Sequence, residues 1–410
     1  LRLDTCLAIT HGLGQELKVK KMPEIAEVAR VVHQIRKRLV GKTIQAVVAK
    51  DDANVFGKVG TTAAEFQKVM KGKRIIDAGQ QGKYFWYNPY VSRCSLHSMS
   101  SPPHPLLHLG MSAYTELLIF TIIIKIGWLH IKGESKLHFK SKAASKNEAI
   151  DEGENQEDWP PKYWKFTFET SDSNTGNKRR SVDNNSSIVE VAFTDPRRFG
   201  RVRLLDCAME DIRKVSPLKE NGPDPIIDKN ILSLDWLQRR LCNKHVPIKT
   251  FLLDQANISG IGNWVGDEIL YNAKIHPEQY SDTLSVQQMK VLYNCIMHVC
   301  ETAVGVLADS EKFPSSWLFN YRWGKAKLNR TAKQKVKENE DGKGQTNTAI
   351  TCLPNGAKIS FITVGGRTSC IVPSVQQKKV QNKSGMEENE SKSGSRGTRT
   401  KSEIEDKIPG

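Results

Sequence analysis

Pro23 and Glu24 are the first residues along the chain whose chemistry suits covalent catalysis. If Met22 is removed, Pro23 presents a free secondary amine, and an α-amino group has a pKa near ~8, far below that of lysine. Its neutral form can attack a carbonyl carbon and form an iminium, whereas within a longer chain Pro23 is a tertiary amide that cannot. Glu24 can act as the general acid/base, or it can be a surface carboxylate that matches a helix dipole.

The residues after Pro23 predict the helix that would position this amine. Apolar residues recur at alternating spacings of three and four, which places them on one face of a helix. They are Ile25, Val28, Val32, Ile35 and Leu39. Pro23 suits the first helical position, and Gly41 ends the helix. An inert, well-capped helix would show the same features.

The stretch from Lys249 to Tyr271 predicts a second candidate site. A short apolar helix breaks at residues 257–263, and a second helix follows with Asn263 as its N-cap. Gly260 and Gly262 would let the backbone approach a ligand, and the unpaired N–H groups at the helix start favour an anion. Because the chain is rich in Lys and Arg, we expect a nucleic-acid phosphate there. The alternative is a tight turn in a helical hairpin.

Residues 188–205 alternate between apolar and polar on either side of a Pro-Arg-Arg-Phe-Gly turn, which predicts a β-hairpin. Arg197 and Phe199 would stand at its tip. An arginine beside an aromatic ring suits insertion into a duplex, because the guanidinium can hydrogen-bond a base while the ring wedges between stacked bases. The alternative is a basic β-turn that binds nothing.

The composition agrees with a nucleic-acid partner. The chain has 410 residues, enough for two or three domains, and a net charge of +16, which suits a polyanion. Its eight cysteines include no Cys-x-x-Cys pair, which argues for a reducing compartment and against a disulfide framework or a zinc ribbon. The most apolar run, residues 117–129, is interrupted by Lys125 and is too short to span a membrane.

Several motifs occur in an order that resembles the formamidopyrimidine-DNA glycosylases, the Fpg/Nei family of base-excision repair enzymes. Residues 23–28 are similar to the family start Pro-Glu-Leu-Pro-Glu-Val, with Ala26 in place of the second proline. The later motifs are His-Leu-Gly-Met-Ser at 108–112, Asp-Pro-Arg-Arg-Phe-Gly at 195–200, Gly-Pro-Asp-Pro at 222–225 and a helix–two-turn–helix at 249–271. The resemblance covers residues 22–372.

The resemblance implies catalytic roles for four residues. Pro23 would attack C1′ of the damaged nucleotide, and Glu24 would protonate the deoxyribose ring oxygen. Lys83 matches the family lysine that contacts the phosphate beside the lesion and assists β-elimination. Arg367 matches the arginine that contacts phosphate and assists δ-elimination.

The resemblance also implies DNA contacts. Met111 would enter the gap left when the damaged base flips out, although a methionine can equally fill a core. Lys165 stands where a bacterial family histidine contacts phosphate. Arg197 would hydrogen-bond the orphaned base, and Phe199 would wedge the base step. Further phosphate contacts are expected from Lys249, Gly262 and Asn263.

Residues 348–372 predict small antiparallel strands with a turn at Pro354-Asn355-Gly356. Bacterial family members hold this region with four cysteines on zinc. Here only Cys352 and Cys370 lie nearby, too few for a tetrahedral site. The segment therefore resembles the zincless finger of plant members, and we expect no metal ion and no other cofactor.

These patterns and the resemblance predict an α+β fold with an N-terminal β-sandwich and flanking helices, a C-terminal helix–two-turn–helix domain and a small antiparallel zincless finger. The predicted segments are a leader at 1–21 outside the mature protein, a catalytic β-sandwich domain at 22–206, a helix–two-turn–helix domain at 207–310, the finger at 311–374 and a disordered basic tail at 375–410. Segments 90–107 and 114–126 are interpreted as retained introns or gene-model errors, with an unusual apolar loop as the alternative. Segments 142–157 and 171–187 are interpreted as solvated insertions.

The resemblance implies a bifunctional DNA glycosylase and AP lyase for oxidised purines such as formamidopyrimidine and 8-oxoguanine. It would work through a Schiff base on Pro23, followed by β,δ-elimination. The expected partner is damaged double-stranded DNA, bound by a monomer in the nucleus or an organelle, without a membrane. Two alternatives stay open: a non-catalytic helix–two-turn–helix nucleic-acid-binding protein, and an inactive isoform in which Pro23 is masked.

Overall fold

The computed structural model describes residues 23–90, 102–110, 123–126, 129–133, 159–172, 188–322 and 352–378. Over these ranges the α-helices are α1 (Ile25–Arg38), α2 (Ala63–Met70), α3 (Leu234–Cys242), α4 (Ile248–Leu253), α5 (Asn263–Asn272) and α6 (Val286–Gly305). The strands are β1 (Lys42–Ala49), β2 (Arg74–Gln81), β3 (Tyr84–Tyr90), β4 (His104–His108), β5 (Ile123–Ile126), β6 (Leu129–Gly133), β7 (Trp164–Asp172), β8 (Val189–Thr194), β9 (Arg201–Leu205), β10 (Ser360–Val364) and β11 (Arg367–Ile371). The predicted α+β fold class is confirmed.

Helix α1 forms where the apolar periodicity predicts it, but it begins at Ile25 and not at Pro23. Glu24 is its N-cap residue, and the Glu24 backbone N–H donates to Glu27 Oε2 at 3.1 Å. Ile25 and Ala26 pack into the core of the C-terminal helices, whereas the rest of the apolar face packs on the sheet. Helix α1 therefore belongs to both cores and carries Glu24 to the boundary between them.

Strands β1 to β9 form one antiparallel sheet in the order β5-β6-β8-β7-β1-β2-β3-β4-β9. Because β1 and β2 separate β7 from β3, a flat sheet would set β7 and β3 about 14 Å apart. The rings of Phe168 on β7 and Tyr87 on β3 nevertheless lie only 6.1 Å apart. The sheet therefore folds back on itself, and its two halves share one core, as the predicted sandwich requires.

Two predictions for this sheet are wrong. Strand β9 pairs with β4 and not with β8, so residues 195–200 connect two different parts of the sheet and do not close a hairpin. The bounds predicted for the insertion at 90–107 are too wide, because residues 104–107 belong to β4, whose Leu106 and Leu107 are fully buried. The insertion itself stays a prediction. Leu107 packs in the core inside the sheet, and Leu106 packs in a smaller apolar cluster on the other side of the strand.

The C-terminal helices pack round a second core, which contains a cluster of aromatic rings with centroids 4.8 to 6.5 Å apart: Trp264, Phe313, Trp317 and Phe319. Ser285 and Gln288 form a capping box at the start of α6, as their spacing of three residues in the sequence indicates. Val286 is 71% exposed because it lies in the first turn of α6, before the packed part of the helix. In the described ranges no helix has both the length and the apolar surface that crossing a membrane requires.

Strands β10 and β11 form a separate two-stranded sheet, as the turn signals predict. Cys352 and Cys370 are free thiols. Among the residues with described positions, no group of three or more His, Cys, Asp and Glu side chains could hold a metal ion. Met111, residues 1–21, segment 142–157 and residues 379–410 lie outside the described residues, and the proposed domain boundaries stay predictions.

Candidate active site

The Glu24 side chain lies at the amino terminus of α5, where its carboxylate accepts hydrogen bonds from three backbone amides. Oε2 accepts from Gly262 N and Val265 N, each at 3.0 Å, and Oε1 accepts from Trp264 N at 2.9 Å. Burial raises the pKa of Glu24 to about 7, although the charge of Lys83 and the amide hydrogen bonds act in the opposite direction. A carboxyl group with that pKa exchanges a proton at neutral pH, as general acid catalysis requires.

The two glycines before α5 make room for this carboxylate. A Cβ on Gly262 would lie 2.2 Å from Glu24 Cδ. Gly260 has φ +93°, and its carbonyl accepts a hydrogen bond from Ile25 N at 3.1 Å. The glycines were predicted to admit a ligand, and the group they admit in this chain is the first turn of α1.

The anion bound by the amides of Gly262, Trp264 and Val265 is therefore the protein's own Glu24 carboxylate. The phosphate contacts of Gly262 and Asn263 stay predictions. The N-cap residue of α5 is Gly262, and Asn263, the predicted N-cap, is the first helical residue. The reason is tertiary: α1 inserts its first turn into the helical core and delivers Glu24 to amides 238 and more residues away.

Pro23 is buried beside Glu24, directly before α1. In the 410-residue chain it follows Met22 and is therefore a tertiary amide. Removal of the preceding residues would place a secondary amine next to the buried carboxyl group, which is the arrangement that the predicted covalent chemistry needs.

Lys83 occupies the second position of the two-residue turn between β2 and β3. Gly82, the first position, donates its N–H to Asp224 Oδ2 at 2.7 Å and approaches Gly260 so closely that a Cβ would lie 2.8 Å from Gly260 N. Burial lowers the pKa of Lys83, Glu24 raises it, and Arg367 lowers it. The turn thus brings Lys83 within electrostatic range of two other predicted site residues.

Arg367 is exposed at the start of β11, beside a tight turn made by Gly365 and Gly366. Both glycines have positive φ, +56° and +72°, as a two-residue hairpin turn of this kind requires. The finger is held against the helices by Asn263, whose Nδ2 donates to Thr368 O at 2.8 Å. Asn263 therefore anchors Thr368, the residue that directly follows Arg367. The second hydrogen of the Asn263 side-chain amide can bind another acceptor.

Lys249 is fully buried. Its Nζ donates to Asn263 O at 2.7 Å and to Asp267 Oδ1, and Asp267 is also paired with Arg322. Burial lowers the pKa of Lys249, and the Asp267 carboxylate raises it. The ammonium ties α4 to the first turn of α5, and the predicted phosphate contact of Lys249 stays a prediction.

The loop at 195–200 is organised by Asp195, which is fully buried. Its Oδ1 accepts from Arg197 N and Arg198 N at 3.1 and 2.9 Å, and its Oδ2 accepts from Gly200 N at 2.6 Å. Arg197 is exposed, and its guanidinium lies 5.6 Å from the ring centroid of Phe199, which is 45% exposed. The two predicted insertion residues therefore stand together on the surface.

Gly110 packs against this loop, because a Cβ on Gly110 would lie 2.5 Å from the Phe199 carbonyl carbon. Met111 follows at once and lies outside the described residues. His108, two residues earlier, accepts from Gly110 N through Nδ1 at 3.1 Å, and burial lowers its pKa to about 3. The neutral His108 thus shapes the turn that leads from β4 to Met111.

Lys165 shares an acidic partner, Asp52, with Arg198. Its Nζ and Arg198 Nε each lie 2.9 Å from Asp52 Oδ2. Burial alone would raise the pKa of Asp52, but the hydrogen bonds from Arg198 and Lys165 lower it below its ordinary range. The phosphate contact predicted for Lys165 would have to compete with this carboxylate.

Sequence reasoning missed the carboxylates that hold the site together. Asp195 precedes Pro196 in a turn, which is a local signal for an Asp side chain that bonds backbone amides. No comparable signal marks Asp52, Asp224 or Asp267, because their partners come from distant parts of the chain.

Comparison with known proteins agrees with this architecture. The model of the formamidopyrimidine-DNA glycosylase N-terminal domain matches residues 22–202, and the model of the helix–two-turn–helix domain of the same enzymes matches residues 222–315. The formamidopyrimidine-DNA glycosylase of Arabidopsis thaliana is 35% identical over 356 residues, which cover 87% of this chain and 71% of the relative.

Solved structures share the fold. The Lactococcus lactis formamidopyrimidine-DNA glycosylase bound to DNA with an AP site has a TM-score of 0.54 at 19% identity. MutM in complex with DNA that contains carbocyclic 8-oxo-G has a TM-score of 0.53 at 20% identity. In both, the match covers 87% of this chain and 100% of the other. Fold and site define a helix–two-turn–helix DNA glycosylase. The chain belongs to the formamidopyrimidine-DNA glycosylase family, whose activity is base excision repair.

Proposed function

We propose that this chain is a bifunctional DNA glycosylase and AP lyase that excises oxidised purines from duplex DNA. The observation that supports it most is the position of Glu24: a buried carboxyl group beside Pro23, with Lys83 and Arg367 within electrostatic range of each other. The site thus contains an acid, Glu24, and a nucleophile, Pro23, that is masked only by the preceding peptide. It also contains two cations, Lys83 and Arg367, for the phosphates.

The proposed reaction begins when the Pro23 nitrogen, freed of Met22, attacks C1′ of the flipped nucleotide. The bond from C1′ to the base breaks, and the base leaves with the proton that the Pro23 nitrogen loses. Glu24 protonates the ring oxygen as the sugar opens, and the lone pair of the nitrogen forms the iminium. Loss of a C2′ proton then expels the 3′ phosphate, and a second elimination expels the 5′ phosphate.

Lys83 and Arg367 would bind the phosphates next to the lesion. Burial lowers the pKa of Lys83, so a larger fraction of its amine is neutral than in an ordinary lysine and can accept the C2′ proton. The Arg367 guanidinium would donate hydrogen bonds to the departing phosphate and stabilise it. Lys83 therefore suits the β-elimination and Arg367 the δ-elimination.

The proposed DNA partner is damaged duplex DNA, as in the relatives' structures with AP-site and 8-oxo-G DNA. Met111, Arg197 and Phe199 would fill the gap left by the flipped base. Phosphate contacts are proposed for Lys165, Lys249, Gly262 and Asn263. We propose a monomer that acts in the nucleus, since duplex DNA in a reducing compartment is the substrate that the chain's charge and free cysteines suit.

Borohydride trapping tests the mechanism. The chain that begins at Pro23 and the chain that retains residues 1–22 are incubated with duplexes that contain formamidopyrimidine, 8-oxoguanine or an abasic site, and the iminium is reduced. We expect a covalent protein–DNA adduct only with the free proline, mapped to Pro23 by mass spectrometry. An equal yield from both chains, or no adduct from either, rejects the proposed nucleophile. In the second case a non-catalytic DNA-binding protein would be the better conclusion.

A further inference from the structure

A group of basic and aromatic side chains lies beside the Arg197–Phe199 loop. We name it the basic-aromatic patch: Lys50, Lys162, Tyr163 and Trp164. Lys50 Nζ lies 4.0 Å from the ring centroid of Trp164, and Lys162 Nζ lies 5.1 Å from that of Tyr163. Both lysines are exposed, and Tyr163 is 52% exposed. Each ammonium is held over an aromatic face by a cation–π contact.

Asp195 joins this patch to the loop. Its N–H donates to Tyr163 O at 3.0 Å, and its carboxylate accepts from Arg198 N at 2.9 Å. Tyr163 and Arg198 are both non-glycine residues in the left-handed region, with φ +67° and +58°. Such backbone strain persists where the surrounding structure holds it, and it concentrates at binding and catalytic sites. Asp195 thus fixes both residues, Tyr163 through its backbone N–H and Arg198 through its carboxylate.

The charges of the patch are available to a ligand. Lys165 and Arg198, its basic neighbours, already share the Asp52 carboxylate. Among the residues with described positions, neither Lys50 nor Lys162 has a carboxylate partner. An ammonium that rests on a neutral ring keeps its full charge, so a phosphate can bind it without first displacing a carboxylate.

We propose that the basic-aromatic patch binds the phosphodiester backbone of duplex DNA, next to the segment that Arg197 and Phe199 contact. The proposal rests on the proposed function and extends it by two phosphate contacts, one from Lys50 and one from Lys162. Tyr163 and Trp164 hold these ammonium groups in place.

The salt dependence of binding tests the proposal. The full chain and the double variant Lys50→Ala/Lys162→Ala are titrated onto a fluorescent duplex with an abasic-site analogue between 50 and 200 mM NaCl. The logarithm of the binding constant falls linearly with the logarithm of the salt concentration. Loss of two phosphate contacts makes this slope less steep by about 1.8, so the loss of affinity between 50 and 200 mM NaCl becomes about 12-fold smaller. Lys290→Ala, an exposed lysine on α6, is the matched control and should leave the slope unchanged.

Tyr163→Gly separates binding from folding. Glycine adopts φ +67° without strain, so Tm should stay equal or rise while duplex affinity falls several-fold. An unchanged slope in the double variant, or full affinity in Tyr163→Gly, overturns the proposal, while trapping through Pro23 would still support the proposed function. Absence of duplex binding by the unmodified chain overturns both.

Discussion

Glu24 Oε2 accepts a hydrogen bond from Gly262 N at 3.0 Å, although 238 residues separate the two in the chain. The contact forms because Gly262 has no Cβ, which would lie 2.2 Å from Glu24 Cδ. It fixes the start of α1 against the start of α5 and thereby fixes where a freed Pro23 amine would lie. The predictions below follow from this junction and from the contacts round it.

Gly262→Ala should displace the Glu24 carboxylate. Overpacking of this kind costs about 1–3 kcal/mol of unfolding free energy, and the misplaced acid should slow base excision at least about 10-fold. Single-turnover excision and urea unfolding measure the two effects. Gly305→Ala in α6 is the control, since no atom of the residues that the structure describes would lie within 4 Å of its added Cβ. Normal excision by Gly262→Ala would contradict the role of this contact.

Glu24→Gln should remove a pH-dependent part of the stability. The pKa of Glu24 is about 7 in the folded state against an ordinary value of 4.5, so folding favours the neutral acid. The resulting stability is fully present below pH 4.5 and is lost as pH rises through about 7. The difference in unfolding free energy between the two proteins should therefore change over this window. A difference that is flat from pH 4 to 8 would show that the carboxyl group is not perturbed.

The same substitution should slow base release by about 10²–10⁴-fold if Glu24 is the general acid, because an amide cannot supply the proton. Excision of formamidopyrimidine is measured in single turnover with saturating protein, so that binding does not limit the rate. Glu278→Gln, at the partly exposed Lys378 pair, is a matched carboxyl control. A rate within a few-fold of the unmodified chain would exclude the acid role.

Asp267→Asn should leave two buried cations, Lys249 and Arg322, without their counter-ion. Removal of one partner from a buried ion pair costs about 3–5 kcal/mol. The pair of Lys229 and Glu301 is about half exposed on both sides, so Lys229→Met should change the unfolding free energy by less than about 1 kcal/mol. Urea unfolding of the two variants compares them directly, and equal effects would refute the structural role of Asp267.

Gly365→Ala should disturb the finger more than Gly366→Ala. Both glycines have positive φ, so both substitutions carry the same kind of backbone strain. Among the described parts of the chain, an added Cβ at Gly365 would lie 2.5 Å from Thr250 Oγ1, whereas one at Gly366 would have no atom within 4 Å. We expect final strand cleavage, measured on an abasic duplex, to fall several-fold further in Gly365→Ala because Arg367 moves with the turn. Equal cleavage by the two variants would mean that the Thr250 contact does not position Arg367.

Local patterns in the sequence predicted what depends on neighbouring residues. The apolar face of α1, the capping box at Ser285 and Gln288, and the exposed Arg197 and Phe199 follow from periodicity and turn chemistry, which act over a few residues. The order of the motifs also identified the family. The contact between Glu24 and α5, the burial of Lys249 with Asp267, and the pairing of β9 with β4 were beyond such patterns. These contacts join residues that folding brings together from distant parts of the chain. The burial and charge pairing that stabilise them exist only once both cores have formed, so no local pattern predicts them.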